Sequence, residues 1–190
     1  MLFGLQRHTA VTFAYGAEGK LVAGPHLVGT CDALITGESN VAMVVVTADC
    51  LPVVVAGNGV AGIAHAGWRG LAADVLGALV RRIGAEFGVA RGDLSAIVGV
   101  GVGPCHYEVG EEVVAALAGL EVGEARWRSG SRVDLSAWAR GRLVALGLQT
   151  DEVRSLRGCT ACSPRFHSYR RDGAGAGRQW SAVVVETEER

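Results

Sequence analysis

Aromatic residues make up only 6% of this 190-residue chain, with 2 Met, 4 Pro and, at Lys20, a single lysine. A core short of large rings has to be packed by Val, Ala and Leu, and hydrophobic residues do reach 49%. The remaining 17 of the 18 basic residues are Arg, an excess that a codon-biased genome mostly explains, though its fork suits phosphate and carboxylate. Against 19 acidic residues the net charge is −1, which excludes the electrostatic footprint of a nucleic-acid binder. No apolar run approaches the ~20 residues of a membrane span. The start "MLFGLQRHTAV" has no charged segment followed by a long apolar one, so it is not read as a signal peptide. Five Cys is an odd number, and only Cys159 and Cys162 lie close together, a poor disulfide framework. These absences point to a soluble cytoplasmic protein with reduced thiols, partnered with neither nucleic acid nor membrane.

What is present is a set of short Val-rich runs bounded by Gly, Asp or Asn. Residues 10–15, 41–46, 52–56, 59–64 and 97–102 read as buried strands. Gly57-Asn58-Gly59 between two of them is a hairpin turn signal, which makes part of the sheet antiparallel. From Leu71 to Phe87 the apolar spacing predicts one helix, with Arg81, Arg82 and Glu86 on its wet face and Gly88 as its stop. "GEEVVAALAGL" and "DLSAWARGRLVALG" read as two more, the second capped by Asp134 and stopped at Gly147. Residues 178–186 supply a last strand, and 173–177 ("GAGAG") a flexible loop. Strands and helices interleave without a linker. The expected fold is α/β, a single compact domain over 1–190 with a mixed β-sheet and flanking helices.

Two of the strands are interrupted by residues that carry chemistry. "VVVTADCLPVVV" places Asp49 and Cys50 before one arm of the hairpin, and "GIAHAGWRG" places His65 at the end of the other. A lone buried Cys or His is commonly structural. Antiparallel pairing, however, returns His65 to the neighbourhood of Cys50, so the two are expected to share a site. A Cys and a His in contact make either an activated thiolate or two zinc ligands. A catalytic zinc needs a third ligand, and His8, His26, His106, His167 and Cys105 are all candidates on composition. "GVGVGPCHYEVGEE" (99–112) is a Gly-rich loop able to offer backbone N–H groups to an anion, although it lacks the GK[ST] of a P-loop. "CTACSPRFHSYRRDGAGAGRQW" (159–180) holds a C-x-x-C and four Arg. With Cys31 and Cys105 in separate segments, no second pair is expected to complete a structural zinc site with Cys159 and Cys162.

Taken together, "LQRHTAV" (5–11), "CDALIT" (31–36), "TADCLPV" (47–53), "AHAGWRGL" (64–71), "GPCHYEVG" (103–110) and "FHSYRRDGAGAGRQ" (166–179) closely resemble the YfiH family, also called laccase-domain or polyphenol-oxidase proteins. The resemblance spans nearly the whole chain. It implies a fold akin to the catalytic part of cytotoxic necrotising factors, and one zinc held by His8, Cys50 and His65. Two departures stand out. Gln6-Arg7-His8-Thr9 replaces the family's Gln-Val-His-Gly, and His106 stands where another Cys is frequent. Family members usually carry a few dozen residues more before this point, so an N-terminal segment usual in the family is expected to be missing.

The same resemblance implies a purine nucleoside phosphorylase acting on inosine, adenosine, guanosine and methylthioadenosine, with adenosine deaminase activity besides. The expected partners are therefore purine nucleosides and phosphate. Arg69 is expected to clamp the phosphate, with Arg170, Arg171 and His106 as further substrate contacts. Cys50, His65 and Asp49 are the expected catalytic residues; for the proton to the leaving base, Asp49 and His106 are the candidates. Zinc with an open position suits the deamination. Two other readings compete. A peptidoglycan-precursor editing hydrolase would use Cys50 with His65. A copper-dependent polyphenol oxidase needs far more His than the five present, so copper is expected only adventitiously.

Overall fold

Val and Ile runs form fully buried strands when both faces of a sheet are covered. That is the arrangement found in the computed structural model, which describes residues 1–16, 23–122 and 126–186. In chain order the strands are β1 Leu2–Phe3, β2 Thr12–Tyr15, β3 His26–Leu27, β4 Ala33–Thr36, β5 Met43–Thr47, β6 Leu51–Gly57 and β7 Val60–Ala66, followed by β8 Ser95–Val98, β9 Arg128–Ser129, β10 Arg132–Val133, β11 Val153–Ser155 and β12 Gln179–Val183. The helices are α1 Trp68–Ala72, α2 Val75–Phe87, α3 Glu111–Ala118, α4 Leu135–Ala145 and α5 Tyr169–Asp172. The α/β class and the mixed sheet match expectation.

A six-stranded sheet, ordered β11-β8-β6-β7-β4-β2, is the middle layer. Its period-two alternation sends Val53, Val55, Ala64 and Ala66 towards Leu76, Leu79 and Ile83 of α2 and Trp138 of α4. The intervening Leu34, Ala61 and Ile63 pack the other way, onto Leu2, Met43 and Val45 of a four-stranded sheet ordered β12-β5-β1-β3. The result is three layers: small sheet, large sheet, helices. Close approach of α2 is possible because β7 carries Gly62; a Cβ there would meet Leu79 at 2.7 Å and Ile35 at 2.8 Å.

The hairpin forms as its turn residues require. Asn58 and Gly59 take φ of 49° and 77°, the left-handed pair of a two-residue turn, and β6 pairs β7 from Gly57↔Val60 to Leu51↔Ala66. The single helix expected over 71–87 is instead two. Asp74 adopts φ 64°, which ends α1, and its side chain accepts from the N–H of Gly77 to start α2. Gly88 closes α2 in the left-handed region, and Asp134 caps α4 through the N–H of Ala137. Part of the Gly-rich 173–177 stretch is a short 3-10 turn over Gly173–Gly175 rather than open loop. No helix among the described residues is long and apolar enough to cross a membrane.

Candidate metal centre and cavity

The register of the hairpin sets His65 opposite Pro52, so the Cys50 that precedes β6 lies beside the end of β7. His8 arrives from the stretch between β1 and β2. Its Nε2 is 3.7 Å from Cys50 Sγ, and its ring stands 4.7 Å, centroid to centroid, from that of His65. The candidate ligand atoms of His8, Cys50 and His65 all lie within 4.8 Å of one another. A Cβ at Gly67 would fall 2.7 Å from Cys50 Sγ and 2.8 Å from the His8 ring, so the space beside these atoms depends on a glycine.

A buried carboxylate organises this group. Asp32, immediately before β4, accepts from the backbone N–H of Arg7 (3.1 Å), His8 (2.9 Å) and Thr9 (2.7 Å) and from the Thr9 hydroxyl (2.7 Å). Its Oδ1 is also 2.9 Å from Nδ1 of His65. Burial pushes this carboxyl up, but the His65 bond and the Thr9 and Arg7 donors outweigh it and hold it well below the usual carboxylate range. An ionised carboxylate only accepts, so Nδ1 of His65 carries a proton, and Nε2 is the atom able to ligate once its own proton is released. The donors on Arg7, His8 and Thr9 also fix the left-handed turn at His8, φ 60°. Gln6 secures the same stretch to β5, with both its amide atoms bonded to the backbone of Val46 (2.8 and 2.9 Å).

Without a metal, the three groups polarise one another. Burial raises the Cys50 thiol, yet the bonds and charges of His65 and His8 bring it down to about 7. Burial lowers His65, yet Asp32 and Cys50 carry it up to about 9. An imidazole pair with a readily ionised thiol, one imidazole oriented by a carboxylate, is a donor set that fits zinc with an open fourth position. It also resembles the two-His, one-Cys set of a blue-copper site.

His8, Cys50 and His65 line a cavity of about 810 Å³, inside the ~300–1,000 Å³ range of small-ligand pockets. Arg69, Arg170 and Arg178 line it too, together with Phe3, Trp68, Tyr107 and Tyr169. Arg69, in the first turn of α1, holds its guanidinium 4.4 Å above the Trp68 ring and has no hydrogen-bond or ion-pair partner among the described residues. Arg170 sits 5.3 Å from the ring of Tyr107. Burial and the nearby Cys50 push the Tyr107 phenol up to about 12.

The other residues expected at the site divide in space. Asp49 lines the cavity, with φ 84°, but both its carboxylate oxygens are taken, by the Thr160 hydroxyl (2.5 Å) and the N–H of Arg170 (2.6 Å). It ties the 160–170 stretch to the residue before Cys50. Arg171 turns away from the cavity and donates to the carbonyls of Thr160, Ser163 and Phe166 and to Asp172. His106 is not among the cavity-lining residues, and neither are His26 and His167. His106 instead faces Cys105, Cys159 and Cys162.

That grouping corrects the expectation that the C-x-x-C lacks partners. β8 and β11 are parallel neighbours, so the segments leaving their C-terminal ends run side by side, joined by Leu156 N–H to Val98 O (2.9 Å) and Thr160 N–H to Gly101 O (3.0 Å). One segment carries Cys105 and His106; the other carries Cys159 and Cys162. Strand β11 was not expected from sequence, and neither was the role of Asp32. The available signal for the latter is a carboxylate set directly before the apolar run Ala33-Leu34-Ile35.

A family model described as "Multi-copper polyphenol oxidoreductase laccase" matches residues 1–186. The chain is 42% identical over 151 residues to a purine nucleoside phosphorylase of Xylella fastidiosa, covering 75% of this chain and 56% of that protein. It is 32% identical over 188 residues to the purine nucleoside phosphorylase YlmD of Geobacillus stearothermophilus, covering 94% of this chain and 67% of that one. The chain thus spans little more than half the length of the Xylella relative. Among solved structures, the hypothetical protein YfiH of Bacillus licheniformis superposes with a TM-score of 0.86 at 25% identity, over 97% of this chain and 74% of that one.

Proposed function

The chain belongs to the multi-copper polyphenol oxidoreductase laccase family, and on that premise we propose that it is a zinc-dependent purine nucleoside phosphorylase that also deaminates adenosine. The observation that carries this reading is the pairing, in one cavity, of the His8-Cys50-His65 group with the unpartnered guanidinium of Arg69. An anion receptor beside a Lewis-acid site suits a reaction whose second substrate is phosphate. The relatives' names supply the substrate class, and inosine, adenosine, guanosine and methylthioadenosine are its members proposed here.

Phosphorolysis joins a phosphate oxygen to C1′ of the ribose while the bond from C1′ to the purine nitrogen breaks, and the departing base takes up a proton. Arg69 binds and orients the phosphate by bidentate contacts, with Arg170 adding charge from the opposite segment. The aromatic lining of Trp68, Tyr107 and Tyr169 offers faces to a purine. Tyr107 keeps its hydroxyl protonated and is the group on this wall able to hydrogen-bond the leaving base. Asp49 acts as a positioning residue, because its carboxylate is spent on Thr160 and Arg170. His8, Cys50 and His65 would hold zinc, and Asp32 fixes the tautomer of His65. When bound, zinc with an open position supplies Lewis acidity that activates water near neutral pH, which suits the hydrolytic loss of ammonia from adenosine.

The test is base release from inosine by zinc-loaded protein with and without phosphate. Hypoxanthine and ribose 1-phosphate formed in equal amounts, and only with phosphate present, is the expected result. Base release indifferent to phosphate, or none at all from metal-loaded protein, would overturn the proposal.

A further inference from the structure

We propose that Cys105, His106, Cys159 and Cys162 form a second metal site, a tetrahedral Cys3His centre for zinc that clips together the two segments forming one wall of the cavity. The four ligand atoms lie within 4.8 Å of one another. Cys105 Sγ is 3.4 Å from Cys162 Sγ and 3.4 Å from Nδ1 of His106. The same Nδ1 is 3.3 Å from Cys162 Sγ and 3.8 Å from Cys159 Sγ. Zinc bonds of about 2.3 Å to sulfur and 2.0–2.1 Å to nitrogen place tetrahedral ligands roughly 3.5–3.8 Å apart. The observed separations bracket that spacing before any metal is added.

The surroundings favour the same reading. The N–H of Gly103 donates to Cys159 Sγ at 3.2 Å, the kind of outer bond that orients a thiolate ligand. The turn after Cys159, with the N–H of Cys162 and of Ser163 both directed to the Cys159 carbonyl, folds the C-x-x-C so that both sulfurs face one point. A disulfide serves this group less well, since joining Cys105 to Cys162 leaves Cys159 and His106 without a use. Three thiolates converging on one point repel one another, and a divalent cation removes that repulsion.

The site is set apart from the cavity, since none of its four residues lines it. Tyr107, which follows His106, does line it, and Thr160, within the C-x-x-C, donates to the cavity-lining Asp49 beside Cys50. A metal here would hold the Gly-rich segment and the Arg170 segment in fixed relation to the first centre. The inference concerns metal content and does not depend on which reaction the cavity performs.

Elemental analysis of zinc-loaded, gel-filtered protein tests it. Two zinc per chain are expected, falling to one in the C159S/C162S double variant and to one in Cys50→Ala. Cobalt gives an independent reading that does not need the double variant to fold: added to Cys50→Ala, it should produce the intense thiolate-to-cobalt charge-transfer bands of a tetrahedral three-thiolate site, and these should vanish on adding Cys105→Ser. One zinc per chain lost wholly in Cys50→Ala, no charge-transfer bands with cobalt, or a Cys105–Cys162 disulfide in protein purified without oxidant would each overturn the proposal.

Discussion

Nδ1 of His65 lies 2.9 Å from Oδ1 of Asp32, and the same carboxylate gathers the backbone N–H groups of Arg7, His8 and Thr9. One buried group therefore fixes the orientation of one candidate metal ligand and the backbone of another.

Asp32→Asn should accordingly weaken zinc binding more than it disturbs the fold. Outer-shell partners of metal-bound His are typically worth 10–100-fold in affinity, and a loss of about that size is expected in competition with a chelator. Unchanged affinity would show that Asp32 serves only the backbone.

Gly67→Ala tests the space around the same atoms. Its Cβ would press on Cys50 Sγ and the His8 ring, at 2.7 and 2.8 Å. Loss of the metal bound at His8, Cys50 and His65 is expected, with far-UV circular dichroism retained. Full metal occupancy in this variant would mean that the ligands sit farther from Gly67 than described.

Arg69→Ala separates phosphate binding from the rest of the site. A charge-assisted hydrogen bond is worth ~1.5–3 kcal/mol, so the KM for phosphate in inosine cleavage should rise about tenfold or more. Phosphate-independent deamination of adenosine should fall far less. Equal loss of both activities would assign Arg69 a structural role against Trp68.

The hairpin, and with it the meeting of Cys50 and His65, was legible in the sequence because Asn58-Gly59 dictates a local turn and register follows from it. The caps at Asp134 and Gly88 were equally local. What stayed hidden depends on distant pairing. The Cys105, His106, Cys159 and Cys162 cluster exists because β8 and β11 lie side by side, and β11 is only three residues long. The role of Asp32 is not legible because its partners lie about 25 residues away in one direction and 33 in the other. The break between α1 and α2 is hidden because apolar periodicity continues through Asp74, whose left-handed backbone is a tertiary choice.

That choice carries its own prediction. Asp74 pairs with Arg142 of α4 (3.0 and 3.1 Å) and with Arg81 (3.0 Å). Burial pushes its carboxyl up, but these guanidiniums outweigh it and hold it below its ordinary value. Because the folded value is the lower one, the stabilisation is complete above the unfolded carboxylate value of about 4 and is lost as pH falls through the folded value. Asp74→Asn, which tolerates φ 64° and keeps a cap, should cost ~1–3 kcal/mol near neutral pH. In denaturant titrations the gap to the parent protein should shrink as pH drops below about 4. A gap constant across that range would remove the ion pairs from the account.

The most direct measurement of the central claim is a crystal of zinc-loaded protein examined by anomalous scattering at the zinc edge. The account predicts a peak bonded to Nε2 of His8, Sγ of Cys50 and Nε2 of His65 at about 2.0–2.3 Å, with its fourth position open to the cavity. Zinc found only at the Cys105–Cys162 cluster, with His8, Cys50 and His65 empty in fully loaded protein, would contradict it.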